Sequence, residues 1–224
     1  MKFTKGDVSD DADTDISSLK NAIYSSSLEA FAGSQVEVSV SMKNVGIENT
    51  SAYQFDIILP EGYSIALDAS NEYDAWITGS RTNSTMHKLY CSYLKDSDSY
   101  RVVCSSSTNA LFDSNDGEVL TFTLDVPSDA EAANYAIKYT NVVISDVSGK
   151  AYDVSDFKYT LTVNDFVQGD INQDSKVDVS DYVSLISHIL DPSSSTETKA
   201  MDVNSDGKVN VGDVVTETSI LLNK

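Results

Sequence analysis

From Val36 onward, apolar residues alternate with polar ones: Val36, Val38, Val40 and Met42 are each separated by a polar position. A period of two marks a half-buried strand, because successive side chains leave a pleated chain on opposite faces. The same alternation returns at Phe55, Ile57 and Leu59, at Leu120, Phe122 and Leu124, at Tyr135, Ile137 and Tyr139, and at Phe157, Tyr159, Leu161 and Val163. Turn-forming residues separate these runs, among them Asn44, Pro60-Glu61-Gly62, Asp116-Gly117, Pro127-Ser128-Asp129 and Ser148-Gly149. Seven or more short strands without helical interruption predict an all-β antiparallel sandwich.

Past Val163 the period changes. Tyr182, Val183, Leu185, Ile186, Ile189 and Leu190 recur at helical spacing, and Val214, Val215, Ile220, Leu221 and Leu222 do so again. Each predicted helix starts at the last acidic residue of the turn before it, Asp181 or Asp213. Pro192 and the serines at 193–195 end the first helix, and a short connecting helix is predicted over 196–201. In the second helix Thr216, Glu217 and Thr218 interrupt the apolar face. The domain boundary falls near 164–168, so the chain reads as multi-domain: a leader over 1–22, a β-sandwich over 23–164 and a small α module over 165–224.

Composition narrows the function. Acidic residues outnumber basic ones 35 to 15, for a formal net charge of -20. Such a field repels phosphate backbones and anionic lipid, so no nucleic-acid partner is expected. No apolar run reaches the roughly 18–20 residues of a membrane-spanning helix, so no membrane span is expected. The stretch from Met1 to Gly6 has charge but no apolar run behind it, so no signal peptide is visible. Asp7, Asp10, Asp11, Asp13 and Asp15 predict a solvated, flexible leader.

The two cysteines, Cys91 and Cys104, flank a hairpin whose predicted turn is Asp96-Ser97-Asp98-Ser99, which sets them opposite one another. Facing cysteines admit a disulfide in an oxidising compartment; two half-buried, unreactive thiols are the other reading. His87 and His188 join no recognisable triad or zinc motif, so the chain is expected not to be an enzyme. Trp76, with Tyr73 and Tyr63 nearby, is either a sugar-stacking platform or core.

The sharpest signal is an internal repeat. The twelve residues from Asp170 to Asp181 align without a gap on those from Asp202 to Asp213, at a constant offset of 32 residues. Calcium takes six to eight oxygens, and a loop of EF-hand type supplies them from positions one, three, five, seven, nine and twelve. In the first loop these are Asp170, Asn172, Asp174, the Lys176 carbonyl, Asp178 (directly or through water) and Asp181. In the second they are Asp202, Asn204, Asp206, the Lys208 carbonyl, Asn210 and Asp213. Val177 and Val209 occupy position eight, where an apolar side chain can pack the loops together. Position six favours glycine because its backbone needs a positive φ; Gly207 satisfies this and Ser175 departs from it.

These residues resemble a type I dockerin: paired Asp-x-Asn-x-Asp loops, aspartate at position twelve, and a helix after each loop, over 169–222. The resemblance implies folding around two calcium ions and docking to a cohesin-type module on another protein. Its contacts would come from loop positions ten and eleven, here Val179 and Ser180, and Val211 and Gly212. The second pair lacks a hydroxyl. The preceding part is similar to cohesin-like, jelly-roll or carbohydrate-binding sandwiches. That likeness rests on Ala32-Gly33-Ser34-Gln35, on the run from Tyr53 to Gly62, and on 152–163. Such sandwiches precede dockerins in surface proteins of gut Bacteroidetes. The resemblance therefore implies an extracellular or cell-surface assembly protein in polysaccharide utilisation. Two alternatives stand beside it: a carbohydrate-binding module protein, and a dockerin packed intramolecularly against its own sandwich.

Overall fold

The computed structural model describes residues 13–82, 86–164, 166–174, 176–204 and 206–223. The chain divides into two compact units. The first is Met1–Leu28, Val36–Asp125 and Asn134–Thr162; the second is Glu29–Gln35, Val126–Ala133 and Val163–Lys224.

Alternating sequence becomes strand almost wherever it occurs. Among the described residues the strands are β1 (Asn21–Tyr24), β2 (Leu28–Phe31), β3 (Gln35–Asn44), β4 (Thr50–Ile58), β5 (Ser64–Ile65), β6 (Ala75–Ile77), β7 (His87–Leu94), β8 (Ser99–Ser106), β9 (Asp116–Asp125), β10 (Ala133–Asp146), β11 (Ala151–Asp153) and β12 (Phe157–Asn164). One sheet runs β2-β12-β10-β4-β8-β7, with β11 on β10; the other runs β1-β3-β9-β5, with β6 also on β9. Strand β12 buries Phe157, Tyr159, Leu161 and Val163 and leaves the residues between them half-exposed, as its period predicts. Phe55 and Ile57 of β4, Ile137, Tyr139 and Ile144 of β10, and Leu120, Phe122 and Leu124 of β9 are fully buried. Inside this core the hydroxyls of Ser25, Tyr139 and Tyr159 hydrogen-bond in series, at 2.7 and 3.0 Å, so no buried tyrosine oxygen of the series lacks a partner.

Arg81 is a buried cation held by backbone carbonyls and an amide oxygen. Its guanidinium donates to the carbonyls of Asp113 and Ser114, at 2.8 and 3.0 Å, to the Met42 carbonyl, and to Asn44 Oδ1 at 2.6 Å. Burial pushes its pKa below the ordinary arginine value. It ties the end of β3 to the segment that leads into β9.

Three sequence expectations are corrected here. The hairpin β7–β8 closes as Leu94↔Ser99, with its turn over 95–98, so Cys91 faces Val102 and Cys104 faces Leu89. The turn lies one residue earlier than predicted. The two thiols become diagonal neighbours, beyond the roughly 3.5–4.5 Å Cβ separation a disulfide needs. Both cysteines are free, and burial pushes Cys91 up to about 12 and Cys104 up to about 11. The leader expected over 1–22 is corrected over residues 13–22, which are built into the fold. Residues 1–12 lie outside the described residues, but Asp13 accepts from Thr160 Oγ1, Thr14 N donates to the Lys158 carbonyl, and Asp15 caps a 3-10 turn at Ile16–Ser18. The connecting helix predicted over 196–201 is a 3-10 turn of three residues, Lys199–Met201. Trp76 is half-buried on β6, opposite Thr121.

Candidate metal and docking site

The second unit contains two helices of equal length, α1 (Val179–Leu190) and α2 (Val211–Leu222). Each begins two residues earlier than the sequence pattern predicted. The reason is the loop itself: position nine is the helix N-cap. Asp178 accepts from the Ser180 backbone N–H, and Asn210 accepts from that of Gly212, each at 2.8 Å. The position-twelve carboxylates complete a capping box, since Asp181 accepts from Asp178 N and Asp213 from Asn210 N, each at 2.8 Å. Such reciprocal caps satisfy amides that the first helical turn leaves without partners.

The remaining loop bonds repeat in the same order. Asp170 Oδ1 accepts from Asp174 N at 3.1 Å, and Asp202 Oδ1 from Asp206 N at 2.9 Å. Asn172 and Asn204 accept from the same two amides, while Asp174 and Asp206 accept from Lys176 N and Lys208 N. Asp181 Oδ1 reaches back to Ile171 N and Asn172 N, at 2.7 and 2.9 Å, and Asp213 Oδ1 to Asn204 N at 3.1 Å. Gly207 has φ +83°, the left-handed backbone that favoured glycine at position six. Its counterpart Ser175 lies outside the described residues.

Both loops thus follow one shared pattern of side-chain to backbone hydrogen bonds. Asp170, Asp181 and Asp213 are buried, and burying a carboxylate is unfavourable unless hydrogen bonds or a cation offset it. Among the described residues no three acidic, histidine or cysteine side chains stand at metal-holding distance. The donor set is oxygen throughout, which suits a hard cation such as calcium.

A small core holds the loops. Ile171, Leu185, Met201 and Val203 are buried together, with Ile189, Val209, Val214 and Ile220 packed against them. Glu217 departs from the sequence expectation. It is fully buried rather than a polar interruption, and its Oε2 would lie 2.5 Å from a Cβ at Gly169 (φ +84°), with Val177 beside it. Only glycine leaves room for that carboxylate.

The helices also carry apolar residues that the core does not use. Val179, Val183 and Leu190 of α1 are exposed, and so are Val211, Val215 and Leu222 of α2. Spacing of i, i+4 and i+11 places each trio on one stripe, and the two trios match at the same offset of 32. Sequence reasoning placed Val183, Leu190, Val215 and Leu222 on the buried face. The structure separates them from it, with Leu190 and Leu222 each 80% exposed. Ser180 is exposed and Gly212 half-exposed, at the start of their stripes.

His87 is buried, stacked on Phe112 at 4.4 Å and bonded to the Ala110 carbonyl; His188 meets Ser195 Oγ at 3.0 Å. Each is taken up by packing.

Residues 168–216 match the model of the dockerin type I domain family. The match spans both loops, α1 and the first half of α2, and dockerin domains are a calcium-binding type of module. Solved structures extend the likeness to the sandwich. A chain of a type I cohesin–dockerin complex from Clostridium thermocellum superposes with TM-score 0.52 at 15% identity, over 65% of this chain and 99% of that one. A cohesin module from a Clostridium perfringens family 33 glycoside hydrolase gives 0.50 at 11% identity, over 66% and 97%. The sixth cohesin of scaffoldin B from Acetivibrio cellulolyticus gives 0.51 at 13%, over 65% and 100%. These superpositions show a cohesin-like fold ahead of the dockerin segment. No curated protein matches the chain. Among the described residues no helix is long and apolar enough to cross a membrane.

Proposed function

We propose that this chain is a non-catalytic extracellular or cell-surface assembly protein. Its C-terminal module, 165–224, folds around two calcium ions and docks onto a cohesin-type module of another protein, in an assembly that serves polysaccharide utilisation. The single observation that carries the reading is the duplicated outward stripe of the dockerin segment. Two matched trios of exposed valine and leucine gain nothing in an isolated module and suit an apolar partner surface. Val179, Ser180, Val211 and Gly212 stand at the heads of these stripes as the first contact residues. Asp170, Asn172, Asp174, the Lys176 carbonyl, Asp178 and Asp181 would hold one ion, and Asp202, Asn204, Asp206, the Lys208 carbonyl, Asn210 and Asp213 the other.

Titration calorimetry of the whole chain against cohesin modules encoded in the same genome tests this. Binding in calcium that vanishes in chelator is expected. Silence from every cohesin, with two ions bound, would refute docking while leaving the metal sites standing.

A second reading is favoured by one observation, the grouping of Glu29–Gln35 and Val126–Ala133 with the C-terminal elements in the second unit. In it the module clamps those two segments instead of a separate protein. Hydrogen exchange decides: chelator would then deprotect 29–35 and 126–133 along with the loops.

A further inference from the structure

In each outward stripe of the docking segment a single serine fills the gap between valine and leucine. Ser187 lies four residues past Val183 and three before Leu190, and Ser219 stands likewise between Val215 and Leu222. That spacing sets Val179, Val183, Ser187 and Leu190 on one line of α1, and Val211, Val215, Ser219 and Leu222 on one line of α2. Both serines are exposed, yet each hydroxyl is turned back on its own helix. Ser187 Oγ donates to the Val183 carbonyl at 2.9 Å, and Ser219 Oγ to that of Val215 at 3.0 Å. The neighbouring hydroxyls behave alike: Ser184 donates to the Ser180 carbonyl, Thr216 to that of Gly212 and Thr218 to that of Val214, at 2.9, 3.1 and 2.7 Å. Ser180 Oγ donates to Asp178 Oδ1 at 2.6 Å.

Charge is missing from the same surface. Neither helix contains lysine or arginine, and their acidic residues, Asp181, Asp213 and Glu217, are fully buried, with His188 buried too. Helices α1 and α2 therefore show solvent no charged side chain, in a chain of which 22% is charged and whose net charge is -20. A helix that stays in water carries charge on its open face. Among the described residues, the module's exposed charges lie instead in the two loops and over 191–199.

From this we infer that the partner surface these lines meet is itself uncharged, a patch of aliphatic and aromatic side chains held by burial rather than by ion pairs. The inference rests on the docking reading above and names the chemistry of its partner. A partner carboxylate or ammonium buried against Val183 or Leu190 would lose its water and gain no counter-charge, which is unfavourable. A partner acceptor finds no donor either, because the serine and threonine protons along the lines are already given within the module. Attraction of this kind does not weaken in salt, whereas ion pairing does.

The test is calorimetry of the full chain in calcium against the cohesin modules encoded in the same genome, at about 0.15 M and about 1 M sodium chloride. Three variants place new groups in the middle of both lines: Ser187→Glu with Ser219→Glu, Ser187→Lys with Ser219→Lys, and Ser187→Ala with Ser219→Ala. Both serines are exposed, so the variants keep the fold, and melts in calcium check it. A binding cohesin is expected to keep its Kd within about twofold across the salt range and with the alanine pair, and to lose about tenfold or more with either charged pair. Tighter binding with the glutamates or with the lysines reveals an oppositely charged partner and overturns the inference. A Kd that rises about tenfold in salt does the same. So does a chain that sediments as a dimer, or floats with phosphatidylcholine vesicles, and loses that behaviour with the glutamate pair, since a second copy or lipid then covers the lines. Silence from every cohesin is a different result: it removes the docking reading itself, which none of the salt or charge outcomes does.

Discussion

Replacing Asp181 with alanine removes the carboxylate that closes the first loop. Its two oxygens accept from Ile171 N, Asn172 N and Asp178 N, and the side chain is fully buried. Hydrogen bonds to a charged group contribute about 1.5–3 kcal/mol each, and stranded buried amides cost more than the bond alone. Because the three share one side chain they do not add fully, so the expected loss is about 4 kcal/mol. A module of about 60 residues is stable by only roughly 3–9 kcal/mol, at the usual fraction per residue. Asp181→Ala should therefore leave the C-terminal module largely unfolded near room temperature without calcium. In the same calcium-free chain Asp178→Ala removes the N-cap acceptor of Ser180 N and should cost about 1 kcal/mol. The assay is thermal melting of the whole chain by circular dichroism at 222 nm, where α1 and α2 dominate over the strands. Hydrogen exchange at Ile171 and Asn172 provides a local check. If Asp181→Ala melts within about 2 °C of the unaltered chain, with those two amides still protected, the closure argument is wrong.

Four further outcomes follow from the same geometry. In the chain carrying Asp170→Ala and Asp202→Ala, chelator should no longer lower the 222 nm transition; in the unaltered chain, ions at 100 times their Kd should add about 2.7 kcal/mol per site, read as a calcium-dependent melting shift. Gly169→Ala drives a methyl toward the Glu217 carboxylate and strains a positive φ, so it should destabilise the module by about 2 kcal/mol or more in urea unfolding, with the strand signal unmoved. Val183→Asp with Val215→Asp should abolish cohesin binding in calorimetry while leaving calcium binding intact, because both outward stripes are spoiled and neither loop is touched. Cys104, which is buried, should label with a thiol reagent only after denaturation; since burial raises both Cys91 and Cys104 above the ordinary 9.0, the stability they contribute is full below pH 9 and is lost as pH climbs toward about 11–12, which urea melts across that window would register.

Much of the fold was legible because its signals are local. Phe157, Tyr159, Leu161 and Val163 announce a strand without help from the rest of the chain, and the ligand spacing from Asp170 to Asp181 announces a loop. Where sequence reasoning erred, the missing information was non-local. Helical spacing alone cannot say that Leu185 and Ile189 face the core while Val183 and Leu190 face outward, since a helix can carry two apolar stripes. Glu217 reads as a flaw in α2 until Gly169, distant in sequence, is seen to make room for it. The expectation that Cys91 and Cys104 face one another failed over a turn displaced by one residue, which moves cross-strand partners by two.

The reciprocal caps at Asp178–Asp181 and Asn210–Asp213 have an evolutionary corollary. Each helix starts directly on the residue after its cap, so the azimuth of Val179, Val183 and Leu190 is indexed to the winding of the loop with no slack between them. A one-residue insertion after Asp178 would swing everything downstream by about 100°, turning the stripe away from whatever it meets. Partner preference in such a module can therefore drift by exchange of side chains, while its length between cap and stripe stays frozen. Lineages descending from this chain should differ at 179, 180, 183 and 190 long before they differ in spacing.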